Sequence, residues 1–209
     1  MCGHDSPLRY NVRMEILLAL GIGVGLASVA GVRASLPLAL AALFAALGLL
    51  EPPAPYVDGG GEGWWWSAFG GLAGLSVLEI ALDKIPALER PFNYAMVPVR
   101  AIAGGVLFAA ALGFGVDAGS VPWLVAGAII AGAVAGLKVL LRPSAKVAAS
   151  GVSTRFLSAA EDVVALSGGI VGAFIPFVPL FAVGFLLFFY YRVRKRRGRK
   201  YGGLRILGD

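Results

Sequence analysis

The sequence is short of the side chains that most enzymes use. It has one cysteine, Cys2, and one histidine, His4, both in a polar N-terminal stretch. No intramolecular disulfide can form. Buried imidazole or thiolate ligands for haem, chlorophyll, zinc or an iron–sulfur cluster are unavailable, so no cofactor is expected. A metal held by carboxylates alone stays open. No Ser/His/Asp or Cys/His set can be assembled for nucleophilic catalysis. Enzymatic chemistry would have to rest on Asp and Glu alone, and the reading leans away from an enzyme. Charge is scarce as well: 14% of the 209 residues are charged, against about 25% in a soluble domain.

What fills the chain instead is apolar. It is 58% hydrophobic with a mean hydropathy of +0.82, and 30 residues are glycine. In a membrane, small residues let helix backbones approach closely. Apolar runs cover residues 16–32, 34–50, 64–85, 94–115, 121–141 and 163–191. The GIGVG at 21–25 lacks the strand–helix setting of a dinucleotide loop and reads as helix packing. Residues 9–30 also carry signal-peptide features: Arg9 and Arg13, an apolar run, then Ser28 and Ala30. Residues 51–63, EPPAPYVDGGGEG, form a loop by every local signal. Trp64, Trp65 and Trp66 follow it and are expected to anchor the chain at a membrane interface.

The last apolar run, Val163 to Tyr191, holds twenty-nine residues without a charge. As one helix it would be ~44 Å long, against a hydrocarbon core of ~30 Å. Pro176 and Pro179 sit in its middle. It is expected to be two short helices joined by a turn, with one kinked helix as the alternative. Phe188 to Tyr191 form an aromatic belt at its exit. The expected fold is all-α: a polytopic transmembrane helical bundle of six to seven membrane segments with a Pro-broken C-terminal hairpin. Residues 1–13 read as a polar extension, 14–191 as one transmembrane domain and 192–209 as a basic tail.

Basic residues set the orientation. The 51–63 and 115–121 loops have none. The 84–93 turn has Lys84 and Arg90, the 138–158 segment has four basic residues, and RVRKRRGRK at 192–200 has seven. The positive-inside rule places the last three in the cytoplasm. The expectation is a multi-pass protein of the inner (plasma) membrane with a cytoplasmic C-terminus. The N-terminus lies outside with seven spans, or the first segment re-enters and both termini lie inside. The expected partners are the bilayer, anionic lipids at the tail, and a homo-oligomer or larger membrane complex. Nucleic-acid binding is not expected.

This topology gives the intramembrane charges a depth. Glu79 is fifteen residues from Trp64, ~22 Å along a helix. Arg33, Glu79, Asp83, Arg100, Lys138, Glu161 and Asp162 then fall in one inner-leaflet layer. Ser76, Glu79 and Asp83 share a helical face. Two readings stand side by side. Ion pairs such as Arg100 with Glu79 and Arg33 with Glu161 hold the bundle together. Alternatively, the layer lines a cytoplasm-facing site for a small charged solute, a proton or an anionic lipid. The protein is then a small transporter or channel-like protein, or else a non-catalytic subunit or assembly factor. The copies Leu75-Ser76-x-x-Glu79 and Leu157-Ser158-x-x-Glu161 hint at internal duplication. Gly70/Gly74, Gly132/Gly136 and Gly168/Gly172 are small-xxx-small pairs suited to helix contacts.

Over residues 14–195 the chain resembles the bacterial integral membrane family DUF 4126, a domain of unknown function. The resemblance rests on MEILLALGIG, GVRASLPL around Arg33, LEIALDKIP around Glu79 and Asp83, VRAIAG around Arg100, and AEDVVAL followed by the Pro-broken end. Ala101 stands where that family tends to have proline. ASGVSTRFLS stands in place of a longer Asn/Gly-rich stretch. The resemblance implies a membrane protein and carries no activity with it.

Overall fold

A computed structural model describes residues 7–50, 62–85, 88–115, 119–142 and 154–202; for 7–13, 62, 89–90, 154–155 and 196–202 it describes the backbone alone. Among these residues there are seven helices and no strand: α1 Pro7–Val32, α2 Ser35–Ala46, α3 Glu62–Asp83, α4 Glu89–Ala111, α5 Val121–Leu141, α6 Thr154–Gly172 and α7 Val178–Gly202. Four stretches, in α1, α3, α4 and α5, are long and apolar enough to cross a membrane. Large apolar side chains face outward: Phe181, Phe185, Val77, Ile102 and Ile129 are each about two-thirds or more exposed. A helical protein that turns such residues outward is built for hydrocarbon rather than water. The 51–61 loop and residues 143–153 lie outside the described residues.

Helix α1 is the axis of the bundle. It packs against α2, α4, α5, α6 and α7, and its C-terminal half is buried on all sides. Its glycines make this possible. A Cβ on Gly31 would sit 2.6 Å from the Ala131 carbonyl oxygen of α5, and one on Gly21 would sit 2.6 Å from Pro176 Cβ. The GIGVG run is therefore a packing device, as its sequence context suggests. Two apolar clusters surround the axis. Val29, Val32, Val134, Leu157, Val183 and Leu186 form one; Leu26, Ala30, Ala103 and Leu107 form the core of the other.

The helices alternate in direction. Phe44 near the end of α2 meets Phe174 just beyond α6, Phe114 after α4 stacks on Trp123 of α5, and Lys138 of α5 reaches the last residue of α1. The Pro-broken stretch is a hairpin, not one kinked helix. Its turn is a three-residue γ-turn: the Val178 N–H donates to the Pro176 carbonyl at 2.8 Å, and Phe177 between them has φ of 63°. The Phe177 N–H donates to the Gly21 carbonyl, docking the turn on α1.

Three readings of individual residues need correction. Asn93 is not in a turn: α4 begins at Glu89, so Asn93 is helical, and it is buried. Tyr190 does not belong to an outward aromatic belt. It is fully buried, whereas Phe188 and Tyr191 are exposed. Among the small-residue pairs, Gly168/Gly172 does close on α1 and Pro179. Gly70/Gly74 and Gly136 face open space. Helix α3 is peripheral: it packs on α2 and only thinly on α4, and its Gly63, Ser67, Gly70, Gly74, Val77 and Ala81 are all exposed.

Candidate functional site

At one end of the bundle the alternating helices bring together side chains from distant parts of the chain. Arg33 sits in the two-residue link between α1 and α2 and is completely buried. Its Nη2 lies 3.0 Å from Asp83 Oδ2, 2.7 Å from Asp162 Oδ1 and 3.8 Å from Glu161 Oε2. It also donates to Ser158 Oγ at 3.1 Å, and Ser158 in turn donates to Asp83 at 2.9 Å.

Glu79 performs a second job in the same network. Helix α2 begins without a side-chain cap of its own. The Glu79 carboxylate, projecting from α3, accepts from the backbone N–H of Ala34 (3.4 Å) and Ser35 (3.3 Å) and from the Ser35 hydroxyl (2.7 Å). An anion at a helix N-terminus is favoured by the unsatisfied N–H groups and the helix dipole. Arg100 of α4 completes it, with Nη2 3.3 Å from Oε1. Asn93 lies seven residues before Arg100, hence on the same face of α4, and links the two acids of α3. It accepts from Arg100 Nη1 at 3.1 Å and donates to Asp83 Oδ1 at 2.7 Å.

Glu161 of α6 anchors the far side. Lys138 Nζ lies 2.8 Å from its Oε2 and also donates to the Val32 carbonyl at 2.9 Å, holding the end of α1. Tyr190 of α7 donates to Glu161 Oε1 at 2.6 Å. Arg142, just past α5, places Nη1 2.9 Å from Asp83 Oδ1 and 3.1 Å from Glu161 Oε2. The result is one continuous network from Glu79 to Tyr190. Its buried part contains four cations (Arg33, Arg100, Lys138, Arg142) and four carboxylates (Glu79, Asp83, Glu161, Asp162), whose formal charges cancel, and the half-exposed Lys84 stands at its edge, 4.0 Å from Asp162. Two fully buried donors, Arg33 Nε–H and Arg100 Nε–H, find no acceptor among the described residues. Among the described residues no group of three or more Asp, Glu, His or Cys is arranged to hold a metal ion.

The seven charges picked out by depth all lie in this network, and the pairs Arg100–Glu79 and Arg33–Glu161 both form. Arg142, Asn93, Ser35, Ser158 and Tyr190 were not among them. Arg142 had a signal: it is four residues beyond Lys138 and shares its helical face. Tyr190 had none, since its neighbours are equally aromatic. Trp64 and Trp66 are exposed, but Trp65 is half-buried and lines an apolar cavity at the opposite end. The two Leu-Ser-x-x-Glu copies are not equivalent. Leu75 is exposed and Leu157 buried. Glu79 lies one turn before the end of α3 but Glu161 two turns into α6, in antiparallel helices at the same end of the bundle. A parallel repeat would need parallel helices, and an inverted repeat would put the two acids at opposite ends of the bundle. The geometry fits neither.

The model of the family described as domain of unknown function (DUF4126) matches residues 20–196. The chain belongs to this family. Every residue of the network falls within the matched span, so the polar end lies inside the DUF4126 domain rather than in a flanking extension. No characterised protein and no solved structure matches the chain.

Proposed function

We propose that this membrane protein is a small transporter-type protein for a charged solute or protons, and that the buried network is its operative site and its gate. The observation that carries this reading is that one charge-balanced network ties all seven helices together at a single end. The opposite end has no such charged network among the described residues. Apolar packing would hold a helical bundle without these groups, and a buried ion pair is seldom worth more than the hydrophobic residues that could replace it. Ionisable groups at membrane depth are costly, and by default they mark a path for ions, protons or charged solutes. The two unused guanidinium N–H groups beside Glu79 and Asp83 supply donors for a water or a solute oxygen. The basic residues Lys84, Arg142, Arg192, Arg194 and Lys195 cluster at this end, which orients it to the cytoplasm under the positive-inside rule. In this reading the bundle is closed on its cytoplasmic side, and opening it requires the ion pairs to exchange partners.

The test is flux into proteoliposomes, followed with a trapped pH-sensitive dye under an imposed potential and with a panel of small charged solutes. The wild type is expected to conduct at least one of these, and Glu79→Gln and Arg100→Gln to reduce that flux by about tenfold, the equivalent of ~1.4 kcal/mol. Equal flux in all three proteins would remove the network from the mechanism.

A further inference from the structure

Among the network carboxylates, Asp162 is bound differently from the rest. Glu79 accepts from two backbone N–H groups, the Ser35 hydroxyl and Arg100. Asp83 accepts from Arg33, Arg142, Asn93 and Ser158. Glu161 accepts from Arg142 and Tyr190 and pairs with Lys138. Asp162 Oδ1 lies 2.7 Å from Arg33 Nη2, yet it receives no aligned hydrogen bond among the described residues. The donor count explains this. A guanidinium Nη carries two hydrogens, and those of Arg33 Nη2 already go to Asp83 at 3.0 Å and Ser158 at 3.1 Å. The other oxygen, Oδ2, is 4.0 Å from Lys84 Nζ, beyond hydrogen-bond range. Asp162 is thus held by charge and proximity. It is also the carboxylate that reaches the surface: its side chain is 20% exposed, against 0% for Asp83 and Glu161 and 4% for Glu79. The charged groups that face it are Arg33 from the α1–α2 link, Lys84 beyond α3, and Glu161 beside it on α6. From α7, Tyr190 turns to Glu161 instead.

We propose that Asp162 is the proton-uptake site of the network, where a proton from cytoplasmic water enters. This rests on the transport reading and narrows its substrate to the proton. Protonating a carboxylate weakens every hydrogen bond that its charge assists. For Glu79, Asp83 or Glu161 that means several buried donors at once. For Asp162 it means one ion contact at the edge of the bundle. In the step itself, hydronium gives its proton to an Asp162 oxygen and leaves as water. Arg33 keeps its own protons, and its charge then falls to Asp83 and to Glu161, 3.8 Å away. Asp83 shares Arg33 Nη2 with Asp162, near enough for one bridging water to pass the proton inward. Larger cargo is less well served. Helix α3 packs on α2 and stands apart from α4, leaving a groove of about 370 Å³. Glu79 is the only charged residue lining it, and both Glu79 oxygens are already bound. A metal cation needs several oxygen ligands, and no group of three such side chains is arranged for one among the described residues. A proton needs a single oxygen.

The test is potential-driven proton flux into proteoliposomes, read with a trapped pH-sensitive dye, beside the panel of charged solutes. Wild type, Asp162→Asn and Asp162→Glu are each measured with and without azide. Azide is a small weak acid that can deliver protons in place of a missing uptake carboxyl, and protein-free vesicles correct for its own leak. Wild type and Asp162→Glu are expected to conduct protons at comparable rates. Asp162→Asn should be at least about tenfold slower, recover most of the wild-type rate with azide, and unfold at the wild-type midpoint in detergent. Solute flux without proton flux in the wild type, or full proton flux in Asp162→Asn, overturns this proposal and leaves the transport reading standing. An Asp162→Asn protein that azide does not rescue, or that has lost stability, makes Asp162 a structural residue and overturns it as well. No flux of either kind from the wild type overturns the transport reading and the uptake site with it.

Discussion

Asp83 and Lys84 are neighbours on α3 and carry opposite charges, yet their surroundings give them very different weight. Asp83 is sealed, and its two oxygens receive bonds from Arg33, Arg142, Asn93 and Ser158. Removing it leaves two arginines short of an acceptor where no bulk water can replace it. Asp83→Ala is therefore expected to cost about 3–5 kcal/mol of stability, the range for stripping one partner from a buried ion pair. Lys84 is half-exposed at the bundle end, and Lys84→Ala should change stability by less than about 1 kcal/mol. Unfolding both variants in mixed detergent and SDS checks the contrast; similar losses would mean that Asp83 is hydrated in the folded protein. The same reasoning explains which residues could be foreseen. An acid or a base in an apolar run stands out in any sequence, so seven of the eight charged members of the network were legible, Arg142 being the exception. Asn93 and Tyr190 were not, because an amide near a turn and a phenol among aromatics carry no mark of burial.

The helices show how backbone approach, more than side-chain volume, decides the packing. Helix α1 is surrounded by five others, and glycines lie at its contacts with α4, α5, α6 and α7. The α6–α7 turn docks on α1 at Gly21, where the Phe177 N–H donates to the Gly21 carbonyl. A side chain at Gly31 has no room, since the nearest obstacles are the Ala131 carbonyl and the Val134 Cβ, neither of which can rotate away. Gly31→Ala is expected to destabilise the bundle by about 1–3 kcal/mol through overpacking. Gly74→Ala, at a position with nothing within 4 Å, should have no comparable cost. Thermal unfolding of the two variants in detergent compares them, and equal stability would contradict the tight α1–α5 contact. The hairpin was foreseeable from length and two prolines. Which glycines face a neighbour was not, because 30 of them are spread along the chain and the small-xxx-small spacing recurs on both packed and open faces.

The whole molecule is a bundle whose two ends differ. One end gathers the charged network, and the other holds an apolar cavity lined by Trp65. Because α1 is a continuous helix and the remaining helices alternate, α1 starts and α7 finishes at opposite ends of the bundle. Cys2, the sole native thiol, is therefore expected to react with a membrane-impermeant thiol reagent from the side opposite to that reaching Asp209→Cys in a Cys2→Ser background. Labelling of both from one side would contradict the alternation. Hydropathy alone settles that the protein belongs in a membrane as a helical bundle, since unpaired backbone groups are not tolerated in hydrocarbon and only helices satisfy them within one segment. Charge spacing along the helices settles which acids and bases share a depth, because rise per residue is fixed. Which of them touch, that Glu79 caps α2, and that α3 stands apart from α4 to leave a groove were decided by the tertiary structure. Those outcomes depend on the rotation of each helix about its axis and on its choice of neighbour. Both are set by the summed packing of many small side chains, none of which carries the answer in its own identity.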